Sequence, residues 1–152
     1  AATGKWEKVV SVRNMMQERG VRKEPGRSWI EVDNKIHEFV VADTSHPEAK
    51  AIYNELRKLT EQLKAKGYIP DTKLVLHNID EEENELVLCS HSEKLAIAYG
   101  LLRVRGGQPV RVQKNLRVCP DCHAATKLIS EVTGREIIVR DANRFHHFKD
   151  GV

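Results

Sequence analysis

Cysteine is scarce in this chain, at 3 of 152 residues, and the count is odd. That excludes a disulfide scaffold. Two of the three sit in one Cys-x-x-Cys, and Cys89 falls in an apolar stretch, where it reads as a small buried hydrophobe. Aromatic residues are few as well, at 5%. No apolar run approaches the ~20 residues that span a bilayer as a helix, so no membrane partner is expected. Neither a signal peptide nor a transit peptide opens the chain. It begins with Ala1 rather than Met and reads as an excised fragment, so missing targeting information says nothing about its compartment. Internal repeats and low-complexity segments are absent.

What remains is the composition of a globular domain, 40% apolar and 31% charged, long enough to bury a real core. The net charge of +3 is unevenly spread: residues 1–102 hold 15 Lys/Arg against 17 Asp/Glu, and residues 103–152 hold 10 against 5. A polyanion is a plausible partner for the basic half. On charge alone a solvated surface is slightly favoured.

Periodicity predicts a mixed α/β order. Residues 5–19 suit an amphipathic helix stopped by Gly20. A Pro-Gly break at 25–26 interrupts a linker. Two strands follow, 28–32 and 35–41, joined by Asp33-Asn34 as a tight hairpin turn. Residues 47–66 give the strongest helix signal, with Thr44 or Ser45 as cap, the stripe Ile52, Leu56, Leu59 and Leu63, and Gly67 as stop. The acidic run from Asp80 to Glu85 suits a helix start. A buried helix at 91–102, a strand at 109–115, a helix at 120–132 ended by Gly134, and strands at 135–141 and 144–148 complete the order. Such alternation suggests a sheet with helices packed on its faces.

The chemistry concentrates in His91-Ser92-Glu93 and, 28 residues after the histidine, Cys119-Pro120-Asp121-Cys122. Two cysteines at i and i+3 around a helix start can hold one ion at ~2.3 Å, and the helix N-terminus favours their thiolates. A redox pair or half of a structural zinc site has the same spacing. His91 offers a third ligand and leaves one position open for water. Glu93, two residues on, points to another side and can carry protons without being a ligand. This is the H-x-E…C-x-x-C logic of zinc nucleobase deaminases. Val118 stands where that signature has proline, and Pro120 follows the first cysteine instead. In that chemistry the zinc-bound water, its pKa lowered toward ~7, gives its proton to Glu93 and attacks C4 of a cytosine. His123, His146 and His147 read by themselves as hydrogen-bonded or surface histidines, as do His37, His46 and His77.

The stretches PGRSWIEV (25–32), SHPEAKAIYNEL (45–56), GYIPDT (67–72), HSEKLAIAYGL (91–101), KNLRVCPDCHAATKLIS (114–130) and GREIIVRDANRFHHFKDG (134–151) together resemble the DYW domain that ends many plant pentatricopeptide-repeat RNA-editing proteins. The likeness covers nearly everything from residue 25 onward, and residues 1–24 look like the end of the helical E motifs. It implies a cytidine-deaminase-like sheet flanked by helices, with an inserted gating region, and site-specific C-to-U editing of chloroplast or mitochondrial RNA. It maps a catalytic Zn²⁺ onto His91, Cys119 and Cys122 and the proton shuttle onto Glu93. It also implies a second zinc, held by His123, by His146 or His147, and by a closing Cys-x-Cys. The chain ends at Val152, before that Cys-x-Cys and the terminal Asp-Tyr-Trp, so the second site is expected to be incomplete here. Arg27 stands where the family usually has cysteine.

The partner so implied is single-stranded RNA, selected through the parent's repeats and held weakly and salt-sensitively by this fragment, together with other editing factors. A non-catalytic zinc-stabilised docking module is the alternative. A redox role leaves His91 and Glu93 unexplained.

Overall fold

In the computed structural model, residues 6–21, 24–71 and 88–152 are described. The acidic run at 80–85 and His77 lie outside these residues. The elements in chain order are α1 (Trp6–Glu18), β1 (Arg27–Val32), β2 (Lys35–Val40), α2 (Ala49–Ala65), α3 (Ser92–Arg103), β3 (Val110–Lys114), α4 (Pro120–Thr133), β4 (Ile137–Arg140) and β5 (Phe145–Phe148). The strands form one sheet in the order β2-β1-β3-β4-β5. The β3–β4 pair is parallel and crosses over through α4; the other three pairs are antiparallel. Asp33 and Asn34 turn the β1–β2 hairpin with φ of 50° and 60°, a left-handed pair that Asp and Asn tolerate best among residues with side chains.

Alternation along each strand sends one set of side chains to the helices. Registration aligns Ser28 with Phe39 and Lys114, Ile30 with His37 and Val112, Val110 with Ile137, and Ile137 with Phe148. Ile30, Phe39, Val110, Val112, Ile137, Val139 and Phe148 are buried there. Against them lie Leu95–Tyr99 of α3, Ala125 and Ile129 of α4, and the predicted α2 stripe, all buried. The opposite set, including Glu31, Ile36, Arg111, Gln113 and Phe145, is exposed.

The start of α2 differs from expectation. Thr44 and Ser45 do not cap it. Ser45 is drawn instead to Asp43, whose Oδ1 accepts from its amide at 2.8 Å and its hydroxyl at 2.6 Å. Glu48 is the N-cap and makes no side-chain capping bond; its own amide donates to His46 Nδ1 at 3.0 Å. The same ring lies 2.9 Å from His37 Nδ1, and His37 Nε2 lies 3.3 Å from the Tyr99 hydroxyl, so both histidines are tied into the α2–β2–α3 junction.

Gly100 sets how closely α3 approaches the sheet. A Cβ there would stand 2.5 Å from Val110 Cγ1 and 2.7 Å from Ile30 Cδ1. Helix propensity alone would favour alanine over glycine by about 1 kcal/mol. Overpacking outweighs that gain once the side chain is larger. Gly100→Val should lower stability by about 1–3 kcal/mol, seen as a lower urea midpoint at unchanged slope.

Candidate metal centre and the charges behind it

The two motifs meet at adjacent helix N-termini. His91 is the N-cap of α3 and Cys119 the N-cap of α4, both with extended backbones, and Pro120 occupies the first turn of α4, where its missing N–H is harmless. The parallel β3–β4 crossover brings these two ends together. His91 Nδ1 lies 3.7 Å from Cys119 Sγ and 3.3 Å from Cys122 Sγ, and one ligand atom from each of His91, Glu93, Cys119 and Cys122 falls within 4.8 Å of the others. Cys119 Sγ accepts from the Cys122 amide at 3.4 Å. The contact with the Cys122 thiol, helped by the His91 ring and the Cys122 amide, holds the Cys119 thiol down to about 5. Burial pushes the Cys122 thiol up. Two sulfurs and an imidazole nitrogen this close form a soft donor set suited to zinc.

Glu93 is 1% exposed. Its Oε2 accepts from Lys114 Nζ at 2.5 Å and from the Ser92 hydroxyl at 3.3 Å. Its Oε1 is buried with no hydrogen-bond partner among the described residues. A buried carboxylate oxygen left bare is costly unless something else engages it. Burial raises the Glu93 carboxyl and Lys114 lowers it further, so the group lies below its usual range and is ionised at neutral pH. A carboxylate with one anchored and one bare oxygen, beside three metal-competent ligands, is the geometry a zinc site with a proton carrier requires.

Behind the ligands runs a second buried network that sequence reading missed. Lys94 Nζ donates to Asp121 Oδ2 at 2.7 Å and to the Tyr68 hydroxyl at 3.1 Å. That hydroxyl donates to Asp121 Oδ1 at 2.7 Å, and the Asp71 amide donates there at 3.0 Å. Burial opposes the charge on both Lys94 and Asp121, yet Lys94 is pushed above its ordinary value by Cys122, Tyr68 and Asp121 in that order, and Asp121 is held below its own chiefly by Lys94. The network ties α3, α4 and the segment after α2 into one body immediately beneath the ligands.

Asp141 does similar service on the far side. Its Oδ2 accepts from the Val118 amide at 3.1 Å and lies 2.9 Å from His146 Nε2; its Oδ1 accepts from the amides of Asn143 and Arg144 at 2.8 and 2.9 Å. This fixes the chain just before Cys119. Of the histidines that the resemblance implies for a second metal, the structure places one pair side by side. His123 and His146 are neighbours, with ring centroids 5.3 Å apart. His147 is on the opposite face of β5, 2.7 Å from Glu136 Oε1 and largely exposed, because successive strand residues point to opposite sides. Alternation within RFHHF could have separated the two in advance. Arg27, the departure from the family pattern, pairs with Glu38 at 3.3 Å on the exposed side of the hairpin.

Comparison with known proteins agrees with this geometry. Residues 67–152 match the family model of the DYW family of nucleic acid deaminases, and residues 36–63 match that of the E+ motif. The pentatricopeptide repeat-containing protein ELI1, chloroplastic, of Arabidopsis thaliana is 54% identical over 151 residues, 99% of this chain and 24% of the relative. The Arabidopsis thaliana pentatricopeptide repeat-containing proteins At3g57430, chloroplastic, and At3g49170, chloroplastic, are 54% and 57% identical over 99% of this chain, and 17% and 18% of their own lengths. The chain thus spans about a fifth of the relatives it matches. With a matched region that covers more than half of the sequence and contains His91, Glu93, Cys119 and Cys122, the chain belongs to the DYW family of nucleic acid deaminases.

Proposed function

We propose that this chain is the zinc-dependent cytidine deaminase module of an RNA-editing protein, converting C to U at chosen sites in organellar transcripts. One observation carries the reading: Glu93 is fully buried, anchored through Oε2 and bare at Oε1, within ligand distance of His91, Cys119 and Cys122. A purely structural zinc needs four closed ligands and no spare buried carboxylate. That weighs against a docking module.

His91 Nδ1 and the two sulfurs would hold the ion. When bound, zinc supplies the charge that makes water acidic enough to give up a proton near neutral pH. Glu93 Oε1 would take one proton from that water and pass it to the ring nitrogen as the oxygen bonds to C4, then take the second proton from the C4 hydroxyl and pass it to the amino group, which leaves as ammonia while C4 keeps the oxygen. Lys94 places a cation behind Cys122 and offsets the thiolate charge that metal binding creates.

The three relatives named above are pentatricopeptide repeat-containing proteins, each chloroplastic, which supports an organellar transcript as the substrate. Their repeats would select a single-stranded transcript one base at a time, and the basic half of this chain would add salt-sensitive contact. Residues 25–152 act as one domain in this reading, since β1 and β2 belong to the same sheet as β3–β5. A second ion, where present, would draw on His123 and His146 and not His147. Joined to a repeat tract of matching specificity, the chain should bind zinc at His91, Cys119 and Cys122 and convert its target cytidine. The checks are metal analysis and sequencing of the transcript. A zinc-free protein that still edits, or a zinc-loaded one that never does, would sink the reading.

A further inference from the structure

Lys114 is not part of the H-x-E…C-x-x-C pattern, yet it reaches Glu93 more closely than any ligand does. It is the last residue of β3 and lies opposite Ser28 of β1. Its side chain is 9% exposed and that of Glu93 2%. Around the 2.5 Å contact to Oε2, Lys114 Nζ also lies 3.4 Å from Ser92 Oγ, and that hydroxyl lies 2.9 Å from Ser28 Oγ.

The mount of this lysine is as specific as its target. Asn115, the next residue, bonds both ends of the Pro25-Gly26 turn. Its Oδ1 accepts from the Arg27 amide at 2.8 Å, its Nδ2 donates to Pro25 O at 2.9 Å and to Glu24 at 3.1 Å, and its own amide donates to Arg27 O at 3.2 Å. The turn therefore lies against the ammonium: a Cβ on Gly26 would meet Lys114 Nζ at 3.6 Å and Leu116 Cδ1 at 3.7 Å. Three segments distant in sequence, 24–28, 92–93 and 114–115, converge on one carboxylate.

We propose that Lys114, mounted through Asn115 on the Pro25-Gly26 turn, is a positioning residue for Glu93: it holds Oε2 so that Oε1 alone is free to exchange protons. The inference rests on the reading of Glu93 as proton carrier. A carboxylate has two equivalent oxygens and a soft terminal torsion. Pinning one by a charge-assisted bond fixes the direction of the other.

The test uses the chain behind a matching repeat tract, with Lys114→Met, Lys114→Arg and Glu93→Ala. Lys114→Met should keep its zinc and its RNA affinity but edit about tenfold or more slowly. The loss should fall on kcat, with KM for the transcript unchanged, because Lys114 acts on the proton carrier and not on the RNA. Lys114→Arg should recover most of the rate, since a guanidinium can still anchor Oε2. An unchanged rate, a loss that falls on KM alone, loss of zinc, or no recovery in Lys114→Arg would each overturn the proposal. If Glu93→Ala still edits, the functional reading itself fails. If Glu93→Ala is inactive while Lys114→Met matches the parent, only the role of Lys114 falls.

Discussion

Replacing Glu93 with alanine should abolish C-to-U conversion while about one zinc per chain remains bound. The two halves separate because the ligand set is complete without the glutamate: His91 and the two cysteines converge by themselves, from the N-caps of α3 and α4 and the first turn of α4. General acid–base assistance is worth roughly 10²–10⁴ in rate, and here one carboxylate serves several proton transfers, so the loss should reach the upper end or fall below detection. Glu93→Ala also leaves Lys114 without its partner in a largely buried position. Glu93→Gln is the cleaner companion, since it keeps the volume and an acceptor for Lys114 but has no basic oxygen. Transcript sequencing gives the conversion and metal analysis the occupancy. Editing that survives in either variant removes Glu93 from the mechanism. Zinc lost in both makes Glu93 a ligand instead.

Legibility in the sequence followed the range of the forces involved. Helices α2, α3 and α4 and all five strands showed through local periodicity and stop signals, since an apolar stripe at i, i+4, i+7 and a trailing glycine are short-range facts. The metal group was legible because its residues are chemically rare and its spacing is fixed by two helix starts. Lys114 was not, because its partner is 21 residues away across the β3–α3 layer, and a lysine ending a strand usually meets solvent. Lys94 and Asp121 were hidden differently: each lies inside a recognised motif, yet a charged residue next to Glu93 or Cys122 reads as the exposed side of its helix. Only the docking of Tyr68 and Asp71 over them makes both buried. The α2 cap failed because Asp43 competes for Ser45, a contest between side chains that spacing cannot rank.

Lys94→Met should destabilise the chain by about 3–5 kcal/mol, the usual cost of removing one partner of a buried ion pair. The side chains of Lys94 and Asp121 are 4% and 1% exposed at 2.7 Å, so screening by solvent is slight. Without the ammonium, Asp121 keeps the Tyr68 hydroxyl and the Asp71 amide but has no opposing charge. Asp121→Asn should cost a similar amount from the other side. The double variant should lose less than the sum, because neither charge is then stranded. The pH dependence follows from the signs. In the parent, Asp121 is held below its unfolded value, so its contribution is present above about pH 4 and fades as pH falls below that. In Lys94→Met, the lowering by the ammonium is gone and only the Tyr68 hydroxyl and the Asp71 amide still oppose burial, so the folded value rises and less stability is gained above pH 4. The gap between parent and variant is therefore widest at neutral pH and narrows toward pH 4, with both chains compared zinc-free because Lys94 also bears on the Cys122 thiolate. Urea titrations of both chains across that range would show it. A gap that stays constant with pH would mean that the pair acts through packing and not through charge. Its position beneath Cys119 and Cys122 would then leave the electrostatics of the ligands to Lys114, Glu93 and the helix ends alone.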